Sequence, residues 1–467
     1  MTTGKKNIYP RAALTAALTA LAAVPTWAQD AATAGAAKAV ELPAPLTELK
    51  LDTGDNAWVL ASSALVLLMT PGLAFFYGGL VRSKNMLNTL LMSFGAMAMM
   101  AMLWIFVGYS IAFGNGGGAN DYWGGLQFAG LSGVDTTTAH SLAATIPHQT
   151  FMIFQMMFFI ITPALISGSI VERMKFSSYL VFIALWGLLV YCPVAHWVWG
   201  GGFIGAKMGA LDFAGGAVVH VNAGFAALAA TLALGARRGY NQSAMRPHNL
   251  PFCLLGVGLL WFGWYGFNAG SAVGAGSLAT VAFVNTTIGA ASAMFVWMII
   301  DQITRKEMTA LGAGTGAVAG LVGITPACGF VSPMGAVLVG AITSAVCYVM
   351  ATIRAKNRVD DSLDAFAVHG VGGFTGALLT GLFSYAAIGD AKIGGSGVSP
   401  FAVAGGFDQL MKQFLATALV AIYTFAMSFI LLKMIGAVMG LRVSEEAEES
   451  GLDTSLHGEE AYAESAA

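Results

Sequence analysis

Charge is what this chain has least of. Asp, Glu, Lys and Arg make up 10% of its 467 residues, against about 25% in a soluble globular domain. A water-facing surface of ordinary composition is thereby excluded for most of its length. Cysteine is scarce as well. Cys192, Cys253, Cys328 and Cys347 are scattered through apolar segments without metal-ligand spacing, so neither a zinc site nor a disulfide framework is expected and they read as small packing residues. The formal net charge of −2 offers nothing to a nucleic acid. No nucleophile-and-base set or metal-ligand set stands out, so no enzyme, metal or cofactor is expected.

What the chain has is apolar length. Hydrophobic residues account for 57% of it, and Gly occurs 59 times, as close helix packing in lipid favours. Apolar runs of roughly 20 residues recur throughout, the length that crosses a bilayer as a helix. The expected fold is an all-α polytopic membrane protein with eleven transmembrane helices near 56–80, 86–113, 148–171, 177–198, 217–235, 250–270, 278–300, 308–328, 333–353, 366–388 and 411–435. Lys5, Lys6 and Arg11 precede the short apolar run Ala12 to Val24 and then Pro25-Thr-Trp-Ala28, which reads as a signal peptide over 1–28. Residues 29–54 read as a flexible extracytoplasmic lead, 55–440 as the membrane domain and 441–467 as a cytoplasmic tail.

With the N-terminus outside, an odd number of spans puts the C-terminus in the cytoplasm. Charge tests this separately. Arg82/Lys84, Arg173/Lys175, Arg237/Arg238/Arg246, Arg305/Lys306 and Arg354/Lys356/Arg358 all fall in loops assigned to the cytoplasm. The opposite loops hold Lys207 and Lys392, with Lys412 at the border of the last span. This is the positive-inside pattern. Spans 1–5 and 6–10 are equal in number and opposite in direction, which permits an inverted repeat. His220 of span 5 and His369 of span 10 then correspond, as do the aromatic, Gly-rich stretches Phe75-Phe-Tyr-Gly-Gly79 and Trp264-Tyr-Gly-Phe267.

The two histidines are the first candidates for chemistry. An ionisable group within a span is costly and commonly lines a pathway or meets a partner. Each is either a buried imidazole bonded to a backbone carbonyl or half of a pair. A neutral imidazole has one donor and one acceptor, so two can bond each other and still present a ring nitrogen to a small polar guest. Phe154 and Phe158 share a helix face. Trp197 and Trp199 end span 4, and Trp261, Trp264 and Phe267 lead to Ser271 in span 6. These aromatics form either an interfacial belt or a vestibule that attracts a small cation by about 0.5–2 kcal/mol, where Ser271 could accept an N–H bond. Asp212 reads as the N-cap of span 5, its charge also favouring a cation at the mouth. Asp364 could cap span 10. The acidic tail is either disordered or docked on the basic loops.

Taken together, Phe75–Gly79, Val198-Trp-Gly-Gly-Gly202, Ala210-Leu-Asp-Phe-Ala-Gly-Gly216, Trp264-Tyr-Gly-Phe-Asn-Ala-Gly-Ser271, Gly323-Ile-Thr-Pro-Ala-Cys-Gly329, Phe366-Ala-Val-His-Gly-Val-Gly and the tail pieces Leu441-Arg-Val-Ser-Glu-Glu, Gly451-Leu-Asp and His457-Gly-Glu resemble the Amt/Mep/Rh ammonium transporters, in particular the bacterial Amt branch. The resemblance covers roughly 54–462. It implies a homotrimer with one pore per subunit. By motif it places Trp199, Phe158 and Ser271 at an external ammonium recruitment site, Phe158 and Phe267 at a two-ring gate, and Phe154 and Trp264 along the path. Asp212 stands at the mouth carboxylate, and His220 and His369 at a twin-His pair with Thr325 nearby. The same resemblance implies ammonium or ammonia as substrate, a lipid surround in the cell (inner) membrane, and a PII-type regulator (GlnK in bacteria) at the cytoplasmic face.

Overall fold

The computed structural model describes residues 46–242, 245–357, 359–385 and 403–462. The signal-peptide reading of 1–28 lies outside the described residues, as do positions 29–45 of the lead, Arg358 and Lys392. Among the described residues ten helices are long and apolar enough to cross a membrane: α1 (Thr53–Leu80), α2 (Ser83–Phe113), α3 (His148–Ser169), α4 (Phe176–Ala206), α5 (Gly216–Leu234), α6 (Leu250–Gly270), α7 (Ser277–Arg305), α9 (Pro333–Lys356), α10 (Phe366–Phe383) and α11 (Phe407–Met439). Between α7 and α9 stands a shorter apolar helix, α8 (Ala310–Ile324). The expected span over 308–328 is therefore shortened. Pro326 restricts the residue before it, and the chain continues through tight turns from Thr325 to Phe330.

The described part of the lead carries a short strand. Strand β1 (Leu46–Glu48) pairs antiparallel with β2 (Thr138–His140), Leu46 opposite His140. The Asp52 carboxylate then caps α1, accepting from the Gly54 and Asp55 amides at 2.8 and 2.9 Å. The partner strand is distant in sequence, so local composition carried no sign of it.

Helix α3 is buried on nearly every side, whereas α2, α7 and α9 turn wide apolar faces outward. Glycine sets the closest approaches. A Cβ on Gly256 of α6 would stand 2.3 Å from the Phe76 amide nitrogen of α1, and one on Gly263 would stand 2.2 Å from Met69. Helices α5 and α10 cross still more tightly: a Cβ on Gly224 would lie 2.0 Å from the Gly370 nitrogen. Both helices begin in π-helical turns, Gly216–Val221 and Phe366–Gly370, a local widening that often marks functional positions.

The loops joining α1–α2, α3–α4, α5–α6 and α9–α10 converge on one face, which carries the arginine-rich segments. There the Glu172 carboxylate accepts from Arg82 Nε at 2.9 Å, Asn85 Nδ2 at 2.9 Å and Arg237 Nη1 at 2.7 Å. Arg237 also holds Asp360 through Nε at 3.0 Å and Nη2 at 2.8 Å. Burial alone would push both carboxyls up. The Arg237 guanidinium, with Arg82 at Glu172 and Arg173 at Asp360, holds both below the ordinary carboxylate range.

The tail docks on this face as far as it is described. Lys175 N donates to Leu441 O at 2.9 Å and Val443 N to Arg173 O at 3.0 Å. A short helix, α12 (Glu445–Ser450), is capped by Ser444. Its Glu448 is buried and accepts from Arg442 Nη2 at 2.7 Å and from the Arg238 amide at 2.6 Å. Asp453 accepts from the Leu87 and Asn88 amides of α2 at 3.0 and 2.8 Å. Of the two readings of the tail, docking holds for 441–462, because each buried carboxylate finds a donor.

Two measurements follow from this packing. Gly224→Ala should destabilise the protein by about 1–3 kcal/mol, the usual cost of overpacking, read as a lowered Tm in detergent. Carboxyls whose folded pKa is depressed contribute stability above their unfolded value and lose it as pH falls through the folded one. The protection factor of the Val443 amide should therefore fall below pH about 4, and the α5–α10 crossing should stay protected.

Candidate functional site

Asp212 begins the site. Its carboxylate accepts from the backbone amides of Gly215, Gly216, Ala217 and Val218 at 2.8, 2.6, 2.8 and 3.1 Å. Gly215 takes a positive φ of 117° that lets the chain fold back over the acid. Both carboxylate oxygens are thus committed to the first turn of α5, which carries His220. The other half repeats the device. Asp361 accepts from the amides of Ala365 and Phe366 at 3.1 and 2.8 Å, at the head of the turn that carries His369. Each Asp stands eight positions before its histidine. Asp364, the expected cap of α10, instead adopts φ 59° and pairs with Arg354 at 2.7 Å.

The crossing of α5 and α10 brings the two imidazoles together. His220 Nδ1 and His369 Nδ1 are 3.3 Å apart and the rings lie nearly parallel with centroids 5.3 Å apart. One nitrogen must donate and the other accept, so the pair shares one proton across this bond. His220 Nε2 is buried without a partner. It faces a cavity of about 10 Å³ lined by His220, His369, Trp264, Phe267 and apolar side chains. That is at the limit for a single water. Among the described residues no carboxylate or ammonium lines it.

The passage widens on both sides. Toward the Asp212 side the rings of Phe158 and Phe267, 4.4 Å apart, separate it from a vestibule of about 470 Å³. Phe158, Trp199, Asp212 and Ser271 line that vestibule. Trp199 meets Phe158 edge to face at 5.8 Å and anchors its Nε1–H on Asp212 O at 2.8 Å. Ser271 donates its hydroxyl proton to Phe267 O at 2.8 Å, which leaves its lone pairs for another donor. Toward the basic face the passage meets a cavity of about 150 Å³ that shares His369 as a wall and is lined by Tyr77, Thr315, Ser362 and Asp364.

Two candidates have supporting positions. Phe154 is buried behind Phe158, edge to face at 5.1 Å, and lines neither the vestibule nor the narrow cavity. Thr325 accepts from Trp264 Nε1 at 2.8 Å and donates to Leu321 O at 2.7 Å. It holds Trp264 stacked on His220, ring centroids 5.4 Å apart. Two vestibule or turn residues escaped the sequence reading. Asp361 was signalled by its spacing from His369, identical to that of Asp212 from His220. Gln155 lines the vestibule with a buried, unpartnered Oε1. Its signal was a lone amide one turn from Phe158 in an apolar run.

The model of the Ammonium Transporter Family matches residues 57–462. This chain belongs to the ammonium transporter family. The ammonium transporter of Mycobacterium tuberculosis is 47% identical over 435 residues, spanning 88% of this chain and 90% of the relative. The crystal structure of Saccharomyces cerevisiae Mep2 superposes with a TM-score of 0.78 at 35% identity, covering 85% of this chain and 91% of Mep2. A solved structure titled Sensor Amt Protein superposes with a TM-score of 0.77 at 28% identity, over 86% of this transporter and 98% of that chain.

The Trp264 bond gives a direct test of the site's scaffold. Thr325→Val removes the acceptor of a buried N–H and should cost the transporter about 1–3 kcal/mol in thermal denaturation, while Thr325→Ser stays close to wild type.

Proposed function

We propose that this ammonium transporter gathers NH4+ in the aromatic vestibule, strips its proton there, and passes NH3 beside His220 and His369 into the cytoplasm. The observation that carries the reading is the bonded histidine pair in a cavity of about 10 Å³ without a counter-charge. An intact cation there would lose its hydration with nothing to replace it. A neutral ammonia fits the space and can bond to a ring nitrogen.

At the vestibule, the faces of Phe158 and Trp199 attract the cation, and Ser271 and Gln155 offer acceptors. Asp212 acts at one remove, by fixing the α5 turn and adding negative charge at the mouth. Phe158 and Phe267 form the gate, which side-chain rotation opens. Trp264 stacks on His220 along the path, with Thr325 and Phe154 as supports. Potassium is rejected because it has no proton to shed. Protons that leave the substrate follow it separately or stay outside.

The same reading includes eleven spans arranged as an inverted repeat, for which the matched Asp–His spacing in α5 and α10 speaks. It includes residence in the inner membrane with the N-terminus outside, for which the gathering of arginines on the tail-bearing face speaks, and a cleaved signal at 1–28. A homotrimer and a PII-type regulator follow the family resemblance, and the docked tail offers that regulator an ordered surface.

A sensing role is favoured by the neighbour titled Sensor Amt Protein and by the tail packed against the loops before α2, α4 and α6. Current from proteoliposomes after an ammonium jump, with potassium as control, separates the two. Transport expects an ammonium-specific transient in wild type, with selectivity or current lost in the folded His220→Ala/His369→Ala variant. Unchanged selective uptake in that variant would sink the histidine mechanism. Absence of both current and internal pH change would favour sensing.

A further inference from the structure

Behind the vestibule wall sits a histidine that the pathway does not use. His140 ends strand β2 and is 2% exposed. It touches three residues that line the vestibule, Phe113, Leu142 and Phe151. Its Nε2–H donates to Phe113 O at 3.0 Å, and its Nδ1 accepts from the Leu142 amide at 3.2 Å. Its ring lies flat on the Phe151 ring, centroids 4.7 Å apart at an angle of 14°. The three contacts come from three stretches of chain: the end of α2, the turn after β2 and the first turn of α3. Both hydrogen bonds select one form of the ring. A carbonyl only accepts and an amide N–H only donates, so the imidazole is neutral with its proton on Nε2. Leu46 of β1 stands opposite His140, so the strand of the lead steadies the strand that carries the imidazole. Phe151, Gln155 and Phe158 follow one another at helical spacing on the face of α3 that lines the vestibule.

We propose that His140 is a positioning residue for ammonium capture. It fixes Phe113, Leu142 and Phe151 against one another and so sets the shape of the vestibule wall beside Gln155. A ring attracts a cation only when the cation can sit over its face. A wall already in place costs less order on binding than one that must be assembled. An uncharged imidazole suits this place, because a cationic side chain behind the wall would repel the substrate. The role is confined to capture: none of the three residues lines the narrow cavity beside His220 and His369. The proposal rests on reading the vestibule as the capture site.

The test is the initial rate of transport in proteoliposomes (current or internal pH change) against ammonium concentration. His140→Ala should raise the half-saturating concentration by roughly three- to tenfold, the scale of a lost cation–ring contact, with the maximum rate per folded protein unchanged. His140→Gln, whose amide keeps a donor and an acceptor, should lie closer to wild type than His140→Leu, which fills the space with neither. A histidine that only supports the fold would lower Tm and the maximum rate and leave half-saturation alone. That result overturns the proposal, as does equal behaviour of the Gln and Leu variants. A measurement on the unaltered chain does not depend on any variant's activity. Nitrogen-15 NMR of the histidines, with the His140 signal assigned by its loss in the Gln variant, should show a neutral ring protonated at Nε2 at neutral pH. A proton on Nδ1, or a charged ring, overturns the proposal. Trp199→Ala with Ser271→Ala separates it from the reading beneath it. If that pair leaves half-saturation unchanged, the vestibule is not the capture site and both fall. If the pair raises half-saturation and His140→Ala does not, the role of His140 alone falls.

Discussion

The contact between Gly224 and Gly370 is the constraint on which the rest of the transporter depends. Two helices can place a pair of imidazoles 3.3 Å apart only if their backbones nearly touch one turn away. In lipid no hydrophobic force drives spans together, so van der Waals contact between small residues must do so. Once α5 and α10 cross there, the π-helical turns swing His220 and His369 toward each other, and Trp264 and Phe267 close over them. The narrowness of the passage is a result of that crossing.

Both crossing helices start from an aspartate whose charge is spread over backbone amides. On the Asp212 side this takes four N–H bonds and a left-handed glycine. On the basic face Asp361 uses fewer amides and stands beside a second, larger construction, the Glu172–Arg237–Asp360 network. That network joins four loops and meets the tail through Asn85, whose Oδ1 accepts from the Leu452 amide at 2.9 Å. Positions of the tail and of the turn that carries His369 are thereby linked through hydrogen-bonded groups rather than through flexible chain.

Much of this architecture was legible in the residues. Ten of the apolar runs form helices at the expected places, because length and composition suffice to identify a span. The histidines drew attention for the physical reason that makes them useful, since polarity inside a span is expensive. What escaped notice depended on partners remote in sequence. Strand β1 needs β2, and α8 stops early because of the turns that follow Ile324. Asp361 displaced Asp364 as the cap because the cap is set by where the backbone amides point, and spacing to the helix start alone does not reveal that. Gln155 is a lone polar residue in an apolar run, and only its neighbours across the vestibule distinguish it. Thr325, expected near the histidines, bonds Trp264, which stacks on His220.

The single bond between the two histidines has a consequence for any proton that travels through them. In one arrangement His220 donates through Nδ1 and in the other His369 does. A proton accepted at His220 Nε2 and released from His369 Nε2 would switch the pair from one arrangement to the other. The next proton would then find no acceptor until both rings had been reset. The pair is therefore a two-state memory as well as a wall, and it would register each proton that had passed.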